Sequence, residues 1–566
     1  MKPLSLRDGR FIEVNTPRLR AVFDGATLVS LRNAAGERLL EHPGGGAAAA
    51  LELEYAGGEV VPLMGADSPL VTVRQLGDRV AHVHIEDNEA DACLRIAIDD
   101  EGRLELEPSV VTLRRGAGVL RYNFSGIRDD LKLVAPLYQG CRIALESPLL
   151  SPDRYAWPHL WEAALAIFQG AACGWSVSCH DLLCRPKALR TGQARRTAGV
   201  ETEAFGPWDH NTAIGSLTWT LDVHDGDWTV PARAYRAWLD RAFGLSRIAS
   251  RRPEWVRGIA LTVQGARCDP ALLDALARRI EPRHVLIETG SWRRDRFDTR
   301  YPDYIASDEG RAFLKAAVSR GFHVAPYFNF QGCDPTHELA RKMSPYFTRD
   351  PSTRRLNGWR HDGKECLPFP QGPTRLATLQ ERTGHTELAY VHPGASIWRR
   401  ELVERIARVV EEFDLRGVFI DQTLATANVD NGLVENLTPT SGMLALAREI
   451  RRLRPDLAVA GEGSNEMSAQ GLAFAQAHLF KSWHVNHPAL GDLEPVPLGK
   501  LLYGDACLTM GYINIAGDTP ESALRLDLHE RLGALPSLTL SRAEQLENPA
   551  PATRRVLDRA FALRSG

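Results

Sequence analysis

The sequence has no imbalance of charge: 68 Lys and Arg stand against 71 Asp and Glu in 566 residues, a formal net charge of −3. That removes any electrostatic reason to expect a nucleic acid or an anionic membrane as a partner. No apolar run is long enough to span a bilayer. The N-terminus, MKPLSLRDGRFIEV, has no apolar core of a secretory signal, so a cytoplasmic location is expected. No Gly-x-Gly-x-x-Gly follows a strand-like stretch, which argues against a dinucleotide-binding fold. Nine cysteines are scattered without a Cys-x-x-Cys pair, the nearest group being Cys173, Cys179 and Cys184. They read as buried free thiols of a reducing compartment. No cofactor and no metal are expected.

What is present divides into two patterns. Residues 1–225 alternate apolar and polar with period two, in stretches such as FIEVNT, LRAVFD, RVAHVHIED and RLELEPSVVTL. Turn residues bound them, and no helical stretch intervenes, so a large β-sandwich is expected. His82 and His84, two apart, fall on one face of a strand and lack a third metal ligand. Trp157 and Trp161 serve either a sugar-stacking surface or packing between domains. Over Asp225–Leu245 the period changes to that of a helix, with Pro231 in the first turn and Ala232, Tyr235, Trp238, Leu239 and Phe243 on one face. Residues 226–255 therefore form a linking helix and connector.

From Val256 onward strands alternate with helices, the signature of a parallel sheet, and eight such units close into a (β/α)8 barrel over 256–566. A doubly wound open sheet is the alternative. Counted from Val256, GVFIDQ (Gly417–Gln422) is the fourth strand and LAVAGEG (Leu457–Gly463) the fifth. Ser468–Ala477 is expected to lead into a sixth strand at His478–Asn486. An aperiodic insertion at about 331–393 has the length of a functional loop.

Two apolar strands ending abruptly in carboxylates, Asp421 and Glu462, carry the functional reading. Charge is costly inside a core but tolerable at the C-terminal mouth of a barrel, where active sites lie. Paired carboxylates there suit glycosidic bond cleavage, Asp421 as nucleophile and Glu462 as acid/base. Glu466 is a rival acid. Trp292, Tyr327, Asn329, Gln422, Trp483 and His484 stand at strand ends and are expected to line the same mouth and contact the sugar. The rival readings are a carbohydrate-binding protein without catalysis and a metal-dependent hydrolase built on His484 and His487.

The β-sandwich, a linking helix bearing Tyr-Arg-x-Trp (Tyr235 to Trp238), and a barrel carrying GVFIDQ and then GEG resemble the bacterial glycoside-hydrolase-like family named domain of unknown function 6259. More distantly the pattern is similar to endo-α-N-acetylgalactosaminidases and the α-galactosidase superfamily. The resemblance implies a galactose-mutarotase-like β-sandwich before the barrel. It also implies a nucleophile at Asp421 and an acid/base at Glu462. In the α-galactosidase-like group the acid is an Asp of the sixth strand, a place where this sequence offers Lys481, Ser482 and Trp483. The relatives' C-terminal β-domain has no counterpart here, which favours a small glycoside or an imported oligosaccharide as substrate.

Overall fold

The structure, a computed structural model, describes residues 2–44, 49–63, 70–150, 154–192, 196–359, 388–424, 426–477, 493–512 and 520–565. Up to Asp225 the described residues form antiparallel strands in three sheets, of five, ten and six strands, a later strand making the second sheet eleven. The alternation seen in sequence is the alternation in space. In the strand Val80–Glu86, Ala81, Val83 and Ile85 are buried while His84 and Glu86 are exposed, so the two histidines do share the outer face.

The sandwich and the barrel are joined by shared elements. The strand Leu165–Gln169 is buried along its whole length. Ala166 and Phe168 pack into the sandwich core, whereas Leu165 and Ile167 join the barrel core. Helix α1 (Thr229–Phe243) lies in that seam through Ala232, Tyr235 and Leu239. The strand Glu494–Pro495, from the barrel's half of the chain, pairs with Cys141–Ile143 and becomes the last strand of the eleven-stranded sheet. Trp161 is fully buried and stacks on Trp219, and Trp157 donates to Glu466. Both tryptophans are therefore packing residues of the sandwich and its seam.

The barrel strands are β1 (Leu261–Gln264), β2 (Val285–Thr289), β3 (His323–Asn329), β4 (Gly417–Asp421), β5 (Ala458–Glu462), β6 (Phe474–Gln476), β7 (Leu508–Met510) and β8 (Ser537–Thr539). They pair in parallel, in chain order, with β8 beside β1. A bridge between Met510 and Leu535 draws β7 to the β8 side and closes the circle. Helix α2 (Pro270–Ala277) starts where expected, the Asp269 carboxylate accepting from the Ala271 N–H at 2.9 Å. Helix α3 (Asp308–Ser319) is capped likewise by Ser307. Helix α4 (Ser396–Phe413) turns its apolar stripe, including Leu402, Ile406 and Val410, onto the barrel and feeds β4.

One strand falls elsewhere than expected. The sixth is Phe474–Gln476, inside the stretch read as leading up to it. A single 3-10 turn, Ser468–Gln470, takes the place of a helix, so the chain reaches the barrel wall sooner. His478–Asn486 lies outside the described residues. The insertion is partly structured: Gly332–Cys333, Leu388–Tyr390 and Gly358–Trp359 form a small antiparallel sheet.

Candidate active site

Val418, Phe419 and Ile420 are buried, and Asp421, at the end of β4, is only half-buried. Each buried apolar side chain contributes about 1.5–3 kcal/mol, which fixes the strand and so the carboxylate at its end. Asp421 lies in register with Asn329 on β3. The Asn329 amide nitrogen donates to Asp421 Oδ2 at 3.3 Å, and the Tyr327 hydroxyl donates to the same oxygen. Asn329 is itself held, its Oδ1 accepting from the N–H groups of Gln331 and Gly332. That leaves its NH2 free to face the carboxylate.

Glu462, at the end of β5, is buried. Its Oε2 accepts the Gln422 N–H at 2.9 Å, and its carbonyl accepts the Thr423 hydroxyl at 2.6 Å. Gln422 has a positive φ of 62°, a conformation rare for a side-chain-bearing residue. The turn aims its N–H at Glu462. The glycines of GEG have steric work on the other side. A Cβ on Gly461 would stand 2.6 Å from Thr423 Oγ1, and one on Gly463 would stand 2.4 Å from the Leu424 Cβ. Only glycine lets the chain after β4 lie this close to the end of β5.

The two carboxyl groups stand side by side at the ends of β4 and β5, where Ile420 pairs with Gly461. Burial first, and then the neighbouring Glu462, push Asp421 well above the ordinary carboxylate range. Two acids this close cannot both ionise in a buried place, so the pair shares one proton and titrates as a unit.

A third carboxyl stands at the same mouth. Glu288, on β2, is raised to about 8 by burial, with Asp421 adding to the effect and a hydrogen bond from Gln476 opposing it. Gln476, at the end of β6, donates to Glu288 Oε2 at 2.8 Å across the barrel, and its own Oε1 has no hydrogen-bond partner among the described residues. Sequence reasoning did not place these two in the site. Glu288 had the same signal as Asp421, a carboxylate breaking an apolar run. Gln476 was hidden by the misplaced sixth strand, whose true end offers an amide instead of an acid.

The other expected site residues fare differently. Gln422 contributes its backbone N–H to the site, while its side chain is buried against Gln331. Trp292 does not line the mouth. It is fully buried, stacks beside Tyr304 and donates from Nε1 to the Tyr327 carbonyl at 3.1 Å. The strand end places it near the mouth, but the ring packs on Tyr304 and on Phe328, whose side chain alternates with those of Tyr327 and Asn329 along β3. Trp483 and His484 lie outside the described residues, as does His487. Glu466 has both oxygens engaged at the seam: Trp157 Nε1 and the Ala164 N–H donate to one, and the Tyr235 hydroxyl to the other at 2.8 Å. Among the described residues no three His, Cys, Asp or Glu side chains gather as a metal site. No helix among them is long and apolar enough to cross a membrane.

Comparison with known proteins bears on this arrangement. Among curated sequences, a Bacteroides thetaiotaomicron protein named "Putative glycoside hydrolase" is 22% identical over 294 residues, spanning 50% of this chain and 40% of that protein. Among solved structures, α-N-acetylgalactosaminidase NagBb from Bifidobacterium bifidum, bound to Gal-NHAc-DNJ, superposes with a TM-score of 0.70 at 13% identity, over 98% of this chain and 92% of its own. The GH36 α-galactosidase AgaB from Geobacillus stearothermophilus gives 0.50 at 9% identity, over 99% and 86%. At such identities the likeness establishes the fold, a sandwich followed by a barrel. Residues 216–514, from the last sandwich strand through β7, match the family described as Domain of unknown function (DUF6259); that segment is more than half of the chain, which belongs to this family.

Proposed function

We propose that the protein is a retaining α-glycoside hydrolase, acting on a small glycoside or oligosaccharide of a galacto-configured sugar. The observation that carries the reading is the placement of Asp421 and Glu462 at the ends of adjacent parallel strands, close enough for Glu462 to raise Asp421. Inverting enzymes keep their carboxyls about 6.5–9.5 Å apart to admit a water, and retaining enzymes about 5–5.5 Å. A pair at the ends of adjacent strands fits the shorter, retaining separation. The sugar class rests on the fold shared with α-N-acetylgalactosaminidase NagBb and α-galactosidase AgaB.

The hydrogen bonds support this division of roles. Once substrate separates the pair, Asp421 keeps two side-chain donors on Oδ2, which favour its ionised form. The shared proton then belongs to Glu462. The Asp421 carboxylate attacks the anomeric carbon while Glu462 gives its proton to the leaving oxygen, so an ester to Asp421 forms as the glycosidic bond breaks. Glu462, now ionised, takes a proton from water. That water attacks the anomeric carbon, releases Asp421 and restores the original configuration.

The test is a panel of 4-nitrophenyl α- and β-glycosides offered to the wild type and to Asp421→Ala, with the product anomer followed by NMR. Hydrolysis of an α-glycoside to the α-anomer first, abolished in the variant, is the expected result. Undiminished turnover by Asp421→Ala, or a β-anomer formed first, contradicts it.

A further inference from the structure

We infer that Phe297 is the platform on which the apolar face of the glycone, the sugar that Asp421 attacks, is stacked; the inference rests on the hydrolase reading above. Phe297 stands in the loop between β2 and α3 and is 42% exposed, unlike the other aromatic rings around it. Its ring centroid lies 4.9 Å from that of Tyr327, whose hydroxyl holds Asp421. One ring edge rests over Gly290, where a Cβ would come within 3.4 Å of it.

The loop presents this ring rigidly. Asp298 and Arg300 adopt φ values of 58° and 59°. The strained backbone is tied on several sides. Arg293 donates to the carbonyls of Asp303 and Thr299, and its guanidinium lies 4.3 Å from the Tyr301 ring. Trp359 Nε1 donates to Asp298 Oδ2 at 2.8 Å, and the Arg300 N–H to Asp334 Oδ2 at 2.9 Å. These contacts fix the backbone next to Phe297, and with it the half-exposed ring beside Tyr327.

The order of strands says which part of a substrate does so. Around the mouth the sequence of groups is Phe297 after β2, Tyr327 on β3, Asp421 on β4 and Glu462 on β5. Glu462 must face the leaving oxygen, so the leaving group lies toward β5. Phe297 is on the opposite flank of Asp421, beside the glycone. A hexose with an axial C4 hydroxyl carries its C3 to C6 hydrogens on one face, an apolar patch about the size of a phenyl ring, and aromatic rings bury such patches well.

The experiment compares wild type, Phe297→Ala, Phe297→Leu and Phe297→Trp on the glycosyl fluoride and the 4-nitrophenyl glycoside of one sugar, with inhibition by the free monosaccharide. Phe297→Ala is expected to weaken monosaccharide inhibition and to lower kcat/KM on both substrates by the same factor, about tenfold. Phe297→Leu, apolar but not flat, should resemble Ala and stands in for it if Ala does not fold. Phe297→Trp should retain binding. A Phe297→Ala enzyme with unchanged monosaccharide inhibition and unchanged fluoride hydrolysis overturns the inference. So does a loss confined to the 4-nitrophenyl glycoside, which would put the ring on the leaving-group side. A wild type inert on every glycoside would remove the hydrolase reading and this inference with it, whereas an active wild type with an indifferent Phe297→Ala removes this inference alone.

Discussion

At Asp421 and Glu462 the decisive quantity is the position of one proton. Among the described residues, Tyr327 and Asn329 donate from their side chains to Asp421, and Gln422 donates from its backbone to Glu462. This predicts how Glu462→Gln behaves. A glycosyl fluoride, whose leaving group needs no proton, should still form the ester at close to the normal rate. Glycosides with poor leaving groups should lose about 10²–10⁴-fold. Azide should then accelerate release and give the glycosyl azide with retained configuration. A loss independent of the leaving group would remove Glu462 from the acid role. That Asp421 and Glu462 end adjacent barrel strands was legible in sequence, because an ionisable residue at the end of an apolar run has few explanations. Side-chain direction was not, as Trp292 shows: a strand end gives a residue's height in the barrel, but whether its ring turns to the mouth or to the core depends on neighbours far off in sequence.

Trp292 is better understood at the scale of the element. It props β3 from below, bonding the Tyr327 carbonyl and packing on Tyr304 and Phe328. Trp292→Ala is expected to cost about 3–5 kcal/mol of stability, as other buried aromatic truncations do, read as a lower urea midpoint. A variant of unchanged stability but raised KM would return Trp292 to the binding surface. Elements with strong periodicity were readable: α4 has its apolar stripe, α2 its Asp269 cap and Pro270, β4 its unbroken apolar run. Strand β6 was not. Its three residues are too short to carry a period, and the turn before it offers none of the signals of a helix end. The same shortness concealed Gln476 and its bond to Glu288.

The sandwich–barrel seam holds two acids whose burial pushes them above the ordinary carboxylate range. Burial raises Glu162 to about 8 and Glu466 to about 7, against the hydrogen bonds each accepts. Gln139 and Tyr503 donate to Glu162; Trp157 and Tyr235 donate to Glu466. In the unfolded chain both ionise near 4.5, so between that value and about 7–8 the folded state binds more protons than the unfolded one. Their contribution is then complete below about pH 4.5 and lost as pH rises through 7–8. Glu201 has the opposite sign: burial would raise it, but Arg154, Arg121 and Arg190 outweigh that and hold it at about 2, so its contribution is lost only in strong acid. Burial holds His159, His180, His224, His323, His392 and His529 below the ordinary histidine range, so stability gains from them as pH rises to about 6.5. Denaturant midpoints should therefore fall only above that, from about pH 7 to about pH 8.5, and Glu162→Gln with Glu466→Gln should flatten the fall. A slope the double variant leaves unchanged would place the responsible groups elsewhere. This seam was invisible in sequence, where Glu466 looked like a rival catalytic acid, because its partners lie more than two hundred residues away in the chain.

The measurement to make before the others is a search for the covalent intermediate. A 5-fluoro α-glycosyl fluoride of the preferred sugar slows release more than attack, and digestion with mass spectrometry locates the label. A single sugar on the peptide carrying Asp421, absent from Asp421→Ala and lost on prolonged incubation, is the predicted result. Turnover of the parent glycoside with no label on that peptide, or a label on Glu462 or Glu288 instead, would contradict the assignment of Asp421 as the nucleophile.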